Sequence, residues 1–237
     1  MDCIILAAGM GTRLGDIGKK TPKILLESSG RRVVDIHLEK LAKAGVTRFF
    51  FNVFHQSEQI IDYLEKYKSK YEIVIKVEEK LSGTAGAIKL FKDELNENFL
   101  ILYGDVVGNY RFQPLIEKFN QNNSKEVLGV IYLVKSENLF GKGVVVLDEK
   151  SNILKFIEKP KSLPLNVDYY INAGIYFLNK KIFDFIDKSD HLIDFGKDVF
   201  PLAIKSNARL IGMKIKDDLF DIGTLDILEK IDAIKHD

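Results

Sequence analysis

The sequence predicts a three-layer α/β/α fold with a mostly parallel, mixed central sheet. Three features point there. Short apolar runs without polar interruption, such as Cys3 to Ala7 and Phe99 to Tyr103, suit strands buried on both faces. Segments with helical spacing lie between such runs, and strands alternating with helices at this pitch make βαβ units. No Pro- or Ser-rich linker, internal repeat or low-complexity tract interrupts the 237 residues, so a single domain over 1–237 is expected.

Cys3 to Ala7 is the first strand, and a glycine-punctuated loop runs from Gly9 to Lys23. Val34, Leu38, Leu41 and Ala42 recur at helical spacing, and Gly45 is a natural stop for that helix. Strands follow at Arg48 to Phe54, Glu72 to Val77 and Phe99 to Tyr103, with helices at about Ser57 to Tyr67 and Thr84 to Phe91. The second half is richer in strands: Val127 to Val134, Gly143 to Leu147, Ile153 to Glu158, Tyr170 to Phe177 and Leu210 to Ile215. Helices are expected near Lys181 to Phe185 and Lys197 to Ile204, and a closing one over Thr224 to Ala233.

Hydrophobic residues make up 46% and charged residues 29%, a balance that fills a sizeable core. Lys and Arg total 35 against 34 Asp and Glu, a formal net charge of +1. A near-neutral chain does not coat nucleic acid, so no nucleic-acid partner is expected and any phosphate handling must be local. The lysine-rich stretch from Tyr67 to Lys80 alternates with Glu and reads as a solvated face. Cys3, the single cysteine, excludes an internal disulfide framework and fits a reducing compartment; inside an apolar run it reads as a small buried hydrophobe. The opening Met-Asp-Cys-Ile-Ile-Leu-Ala-Ala-Gly lacks the basic start and longer apolar region of a secretory signal. No later apolar run approaches the roughly 18 residues of a membrane span. A soluble, cytoplasmic chain with no membrane partner is therefore expected. His37, His55, His191 and His236 are too scattered for a metal site, and His37, in a predicted helix, reads as structural or surface.

The sharpest segment is Leu6-Ala7-Ala8-Gly9-Met10-Gly11-Thr12-Arg13-Leu14, followed by Thr21-Pro22-Lys23. A strand ending in small residues and two glycines lets backbone N–H groups approach a phosphate without side-chain obstruction. Arg13 can add a planar fork to phosphate oxygens and Lys23 a mobile point charge. Gly-x-Gly alone reads better as a glycine-rich strand-to-helix turn with two surface cations. The string is not a Walker loop, because no Gly-Lys-Ser/Thr follows, nor the dinucleotide fingerprint, because the third glycine is missing.

With its Arg and the downstream Pro-Lys, this string resembles the opening signature of the nucleoside-diphosphate-sugar pyrophosphorylases, the sugar-1-phosphate nucleotidylyltransferases. The resemblance extends over essentially the whole chain. Gly83-Thr84-Ala85-Gly86-Ala87 is similar to the family's nucleotide-base loop, and Tyr103-Gly104-Asp105 to its metal-binding Gly-Asp. Phe156-Ile157-Glu158-Lys159-Pro160 resembles the Glu-Lys-Pro segment that meets the sugar phosphate. Asn172-Ala173-Gly174-Ile175-Tyr176 and Phe220-Asp221-Ile222-Gly223-Thr224 resemble the Asn-x-Gly strand and the Asp-x-Gly-Thr near the end. Tyr103 and Phe220 depart from the more usual Asn or small residue and Trp, which leaves the substrate open. The chain ends soon after Asp-x-Gly-Thr, so the C-terminal β-helix of some relatives is expected to be lacking.

The resemblance implies a Rossmann-like fold of the nucleotide-diphospho-sugar transferase type. It implies a nucleotide-binding half over about residues 1–125 and a sugar-phosphate half over about 126–237. It assigns catalysis to Arg13, Lys23 and Asp105, and nucleotide contacts to Leu6, Ala7, Ala8, Gly9, Gly11, Thr12, Gly83 and Thr84. Glu79, shortly before the base loop, is a candidate acceptor for a guanine edge, and a solvated carboxylate is about as common there. Lys159 would pair with the acceptor phosphate, Glu158 and Asn172 would hydrogen-bond sugar hydroxyls, and Gly143 would let the backbone approach the sugar. Mg2+ takes oxygen ligands, one or two of them carboxylates beside substrate phosphates. Asp105 follows a strand at the edge where open α/β sheets bind ligands, and only the resemblance places Asp221 beside it. Read alone, Asp105 suits a turn or a helix N-cap equally well.

The expected reaction joins an NTP, GTP or else UTP, to a sugar 1-phosphate and releases pyrophosphate. Two rivals remain. One is a cytidylyltransferase acting on a non-sugar phosphate such as phosphocholine or a polyol phosphate, against which Glu158-Lys159-Pro160 and Asn172 speak. The other is a non-catalytic regulatory subunit that binds nucleotide sugar, against which the retention of Arg13, Lys23, Asp105 and Asp221 speaks. Oligomeric state is left open, with a homodimer as one option.

Overall fold

The computed structural model of the chain describes residues 1–28, 30–122, 127–136, 138–164, 166–187, 191–216 and 219–231. In chain order its elements are β1 (Asp2–Leu6), α1 (Asp16–Lys20), β2 (Glu27–Ser28), β3 (Arg31–Arg32), α2 (Val33–Lys43), β4 (Arg48–Val53), α3 (Ser57–Glu65) and β5 (Glu72–Val77). There follow β6 (Asn98–Tyr103), β7 (Val106–Gly108), α4 (Gln113–Gln121), β8 (Val127–Val134), β9 (Gly143–Leu147), β10 (Ile153–Glu158) and β11 (Tyr170–Asn179). The last are α5 (Phe200–Lys205), β12 (Arg209–Ile215), β13 (Leu219–Asp221) and α6 (Leu225–Ile231).

These elements form two compact units, each discontinuous in sequence. Met1–Leu81, Ile101–Phe112 and Asp217–Asp237 make the first, and Ser82–Leu100 with Gln113–Lys216 the second. In the first unit the strand order is β6, β1, β4, β5. β4 lies parallel to β1, with Asp2 opposite Arg48 and Leu6 opposite Asn52, and parallel to β5. A strand paired on both edges and covered on both faces has no solvent side. Phe49, Phe50 and Phe51 are accordingly all at 0% exposure. α2 presents Leu38 and Leu41 to the core.

A small second sheet decides where the chemistry falls. β13 pairs antiparallel with β7, with Asp221 opposite Val106. Ile222 N–H then donates to the Asp105 carbonyl at 2.8 Å. Val107 and Ile222 point into a core with Leu14, Leu26, Val33 and Ile231, which anchors this hairpin-like pairing.

In the second unit β8 lies between β11, antiparallel, and β12, parallel. β11 also pairs with β9, and β9 with β10, both antiparallel. The first seven residues of β8 are buried, and α4 packs with Phe119 edge-on to Phe177 at 4.9 Å. Phe156, Tyr176, Phe195 and Phe200 form an aromatic knot with centroid spacings of 5.2–5.4 Å. Offset and edge-on pairs of this kind contribute beyond their buried area.

Most predicted strands are present within a residue or two, while several helices differ. Thr84 to Phe91, expected as a helix, is a turn leading into a 3-10 helix at Ala87–Phe91. The N–H groups of Ala85 and Gly86 both donate to the Ile193 carbonyl, at 2.9 and 3.1 Å, which leaves them no role in an α-helical ladder. Lys180–Phe185 is likewise 3-10, and Lys197 to Ile204 divides into a π-helical turn, Phe195–Val199, and α5. α4 was not anticipated. The closing helix is α6, and expected residues 232–233, like His236, lie outside the described residues. Among the described residues no helix is long and apolar enough to cross a membrane.

Candidate active site

β1 delivers Leu6, Ala7 and Ala8 to the glycine loop. Ala7 N–H donates both to the Asn52 carbonyl, at 3.2 Å, and to Asn52 Oδ1, at 3.1 Å, so β4 fixes the strand exit. A Cβ at Gly9 would meet only open space, while Gly11 has a left-handed φ of 62° and lies against Gly18 Cα. Gly11 therefore needs glycine for its backbone, and Gly9 leaves an unobstructed approach to the loop. Thr12, Arg13 and Leu14 form one 3-10 turn, in which Leu14 is buried and Arg13 points outward.

Four charged side chains meet beyond this loop. Lys23 Nζ donates to Asp105 Oδ2 at 2.5 Å and lies 3.9 Å from Asp221 Oδ1. Arg13 Nη2 is 3.9 Å from Asp221 Oδ2. Lys23, expected as a mobile charge, is held in place: its side chain is only 14% exposed, against 67% for Arg13. Gly223 makes room for the guanidinium, since a Cβ there would come within 2.9 Å of Arg13 Nη2. Desolvation and then the Asp105 carboxylate push Asp221 up to about 6, with Lys23 and Arg13 opposing. Because the Asp221 side chain keeps 57% of its exposure, the neighbouring like charge is the firmer of the two causes.

This cluster suits a divalent cation. Its donors are hard carboxylate oxygens, close enough to repel each other, with phosphate-seeking cations alongside. Among the described residues no group of three or more His, Cys, Asp or Glu side chains is arranged to hold an ion. Two carboxylates that need substrate oxygens to complete a shell match the habit of Mg2+. Behind them His37, read from sequence as structural or surface, is buried, and its Nε2–H donates to the Gly104 carbonyl at 3.0 Å. It props the turn that carries Asp105. The Cys3 thiol is fully buried and pushed up by that burial, an inert packing group.

Glu79 is exposed, whereas its neighbour Glu78 is buried and accepts from Asn52 Nδ2 at 2.7 Å. Asn52 thus bridges the phosphate loop and Glu78. In extended backbone consecutive side chains take opposite faces, so spacing alone could not choose between the two.

In the second unit the loop from Gly83 to Gly86 is clamped to residues 193–196. Gly83, with φ of 84°, lies so near the Ile193 backbone that a Cβ would come within 2.4 Å of its carbonyl. Thr84 Oγ1 donates to Asp194 Oδ2 and accepts from Phe195 N–H, both at 3.0 Å. Ile193 and Asp194 were not singled out from the sequence, and no local signal marks them.

Glu158 ends β10 with its carboxylate between two glycines. A Cβ would lie 2.7 Å from Glu158 Oε2 at Gly143 and 2.5 Å from it at Gly196. Desolvation and then Asp194 raise its pKa, partly offset by Lys159. Lys159 is exposed and has φ of 45°, although it precedes Pro160, which disfavours compact backbone in the preceding residue. Its N–H donates to the Lys142 carbonyl at 3.0 Å. Asn172 Nδ2 donates to the Tyr176 hydroxyl at 2.7 Å and Oδ1 accepts from Gly174 N–H at 3.2 Å, across an irregularity in β11.

A glycine loop leaving a parallel-paired strand, with two cations from 3-10 turns and two carboxylates gathered beside it, defines a class of protein suited to handling phosphates. The chain belongs to the nucleotidyl transferase family, whose model matches residues 2–236. It is 33% identical over 230 residues to mannose-1-phosphate guanyltransferase of Saccharomyces cerevisiae, covering 94% of this chain and 61% of that protein. It is 35% identical over 225 residues to the catalytic subunit beta of mannose-1-phosphate guanylyltransferase of Drosophila pseudoobscura, covering 93% and 58%. This chain thus spans about three-fifths of the curated relatives it matches. HddC from Yersinia pseudotuberculosis, solved with GMP-PN, superposes with TM-score 0.78 at 25% identity, covering 98% of this chain and 97% of that one. A Bacillus anthracis protein in complex with sucrose reaches TM-score 0.86 at 22% identity over 98% and 94%, a likeness of fold.

Proposed function

We propose that the chain joins an NTP to a sugar 1-phosphate, giving an NDP-sugar and pyrophosphate, with Mg2+ as cofactor. The observation that carries this reading is the meeting of Arg13, Lys23, Asp105 and Asp221 beside the glycine loop. In the reaction an oxygen of the acceptor phosphate bonds to the α-phosphorus while the bond to pyrophosphate breaks. Two polyanions must be held together, so positioning and charge neutralisation dominate. The loop from Leu6 to Thr12 offers N–H groups to the NTP phosphates. Arg13 forks non-bridging oxygens, and Lys23 holds Asp105 and adds a fixed positive charge. Asp105 and Asp221 would hold Mg2+, which would supply neutralisation of charge on the phosphates.

Gly83 and Thr84 meet the nucleotide base. GTP is the donor we favour, and UTP the second; the guanyltransferase relatives and the GMP-PN complex of HddC support GTP. Glu158 and Asn172 take the sugar hydroxyls, Lys159 the acceptor phosphate, and Gly143 the close approach to the ring. The left-handed backbone of Lys159 ahead of Pro160 is in keeping with this role, because backbone strain clusters at functional sites. We place the reaction in the cytoplasm, in keeping with the lone Cys3.

The test is a matrix of GTP, UTP, ATP, CTP and dTTP against sugar 1-phosphates, read by pyrophosphate release. Turnover with GTP and a hexose 1-phosphate is expected. Turnover only with CTP and a non-sugar phosphate makes the chain a cytidylyltransferase. Binding of nucleotide sugar without any turnover makes it a regulatory subunit.

A further inference from the structure

The loop assigned to the nucleotide and the carboxylate assigned to the sugar share one short segment, residues 193–196. On one side, Ile193 donates to the Ser82 carbonyl at 2.8 Å and accepts from Ala85 and Gly86. Thr84 and Asp194 add the hydroxyl–carboxylate hydrogen bond, and Phe195 N–H closes it from behind. Asp194 is itself fixed, with Oδ1 accepting from Gly196 N–H at 3.0 Å and its own N–H donating to Asp198 Oδ2 at 2.8 Å. On the other side, Gly196 lies against Glu158, leaving no room for a side chain between them. The segment then enters the π-helical turn Phe195–Val199, whose Phe195 packs into the aromatic knot with Tyr176 and Phe200. π-turns inside helices recur at functional sites, and this one sets Gly196 against the Glu158 carboxylate.

We propose that the Thr84–Asp194 pair couples the two substrate sites, so that ordering of the base loop by nucleotide positions Gly196 and Glu158 for the sugar ring. Asp194 and Thr84 are positioning residues: they act through the loop and through Glu158. The Asp194 charge also raises the Glu158 pKa, second to desolvation, so the two carboxylates sense each other as well as touching through Gly196. The coupling rests on the reading of Gly83–Thr84 as nucleotide contacts and Glu158 as a sugar contact. It predicts synergy, and by thermodynamic linkage each ligand tightens the other by the same factor.

Calorimetry on the full chain with Mg2+ tests it, using a non-hydrolysable GTP analogue and mannose 1-phosphate, each alone and each in the presence of the other. In the wild type we expect each ligand to tighten the other about 5- to 150-fold. Thr84→Val removes both hydroxyl hydrogen bonds at near-constant volume and should bring that factor below about 2. Thr84→Ser keeps the hydroxyl and loses only the methyl, so it should retain the wild-type factor, whereas a packing role for the methyl would lower it. Asp194→Asn removes the carboxylate oxygen that accepts from Thr84 and should lower the factor equally, with each ligand alone still bound. Two ligands that bind the wild type independently, or synergy retained in both variants with an unchanged thermal midpoint, overturn the coupling while leaving the proposed function intact. Absence of binding by either ligand to the wild type overturns the function and the coupling together.

Discussion

Arg13 and Lys23 are both cations beside the same carboxylates, yet their surroundings give them different tasks. Arg13 is 67% exposed and only loosely paired with Asp221, so it can turn onto a phosphate, while Lys23 is clamped by Asp105. Loss of the planar fork from a phosphoryl-type transition state should cost about 3–4 kcal/mol, by analogy with removing one oxyanion donor. Arg13→Lys should not recover it, because an ammonium has no fork; full kcat/KM in that variant would contradict the assigned geometry. Asp105→Asn is nearly isosteric and should leave a folded protein with kcat reduced by several orders of magnitude, and Asp221→Asn should be milder. A purified Asp105→Asn enzyme that keeps a tenth of wild-type kcat would remove the metal role. Glu158 offers a pH test. Desolvation and Asp194 raise its pKa, and only the ionised form accepts fully from sugar hydroxyls. Acceptor affinity should therefore improve as pH rises through the raised value, in a window above the free glutamate value of about 4.3. The stability contribution has the opposite sign. The folded state binds this proton more tightly, so that contribution is full at acid pH and lost as pH rises through the raised value. Acceptor titrations between about pH 4.5 and 8 should show this slope beside those of Asp221 and of the acceptor phosphate, both at about 6, and Glu158→Gln should remove only the Glu158 share.

The strands were readable because burial on both faces writes itself as an apolar run, and the glycine loop because its spacing restricts what side chains can stand there. Other elements take their form from residues far away. The turn at Thr84 is set by carbonyl and carboxylate groups more than a hundred residues on. Asp221 reaches Asp105 through the pairing of β13 with β7, two three-residue strands too short to carry a period. The choice between Glu78 and Glu79 depends on a one-residue alternation at a strand end, which composition does not record. The end of β10 carries its own prediction. A non-glycine residue in the left-handed region costs about 1–2 kcal/mol, and Lys159 bears that before a proline. Lys159→Gly should therefore raise the thermal midpoint while raising acceptor KM about ten- to hundredfold through loss of a charge-assisted hydrogen bond. Lys161→Ala, past the proline, should change neither. A glycine variant that kept wild-type acceptor KM would mean that the strain serves something other than the acceptor phosphate.

Each unit is assembled from separated stretches of chain, so no single cut separates them. The first unit needs residues from both ends of the sequence, and the second begins with a stretch, Ser82–Leu100, that precedes part of the first. A cut near residue 125, the expected border between a nucleotide-binding and a sugar-phosphate half, would sever both. The consequence can be measured at the C-terminal stretch. Ile222 and Ile231 are at 0% exposure, packed with Leu14, Leu26, Val33 and Val107, and Ser28 Oγ donates to the Ile231 carbonyl at 3.0 Å. Deleting a buried isoleucine to alanine costs about 2–5 kcal/mol, and a domain has only about 5–15 in total. A chain ending at residue 216 loses both side chains and the β13–β7 pairing while keeping every residue of the second unit, and we expect the first unit to lose its cooperative urea transition. Ile231→Ala is the milder version, leaving Asp221 and its neighbours in place. It should lower the urea midpoint by an amount corresponding to about 2–5 kcal/mol, with an unchanged slope and with kcat/KM near wild type at low temperature. A truncated chain whose first unit still unfolded cooperatively and that still bound NTP would show that the last stretch is an accessory to that unit rather than part of its core.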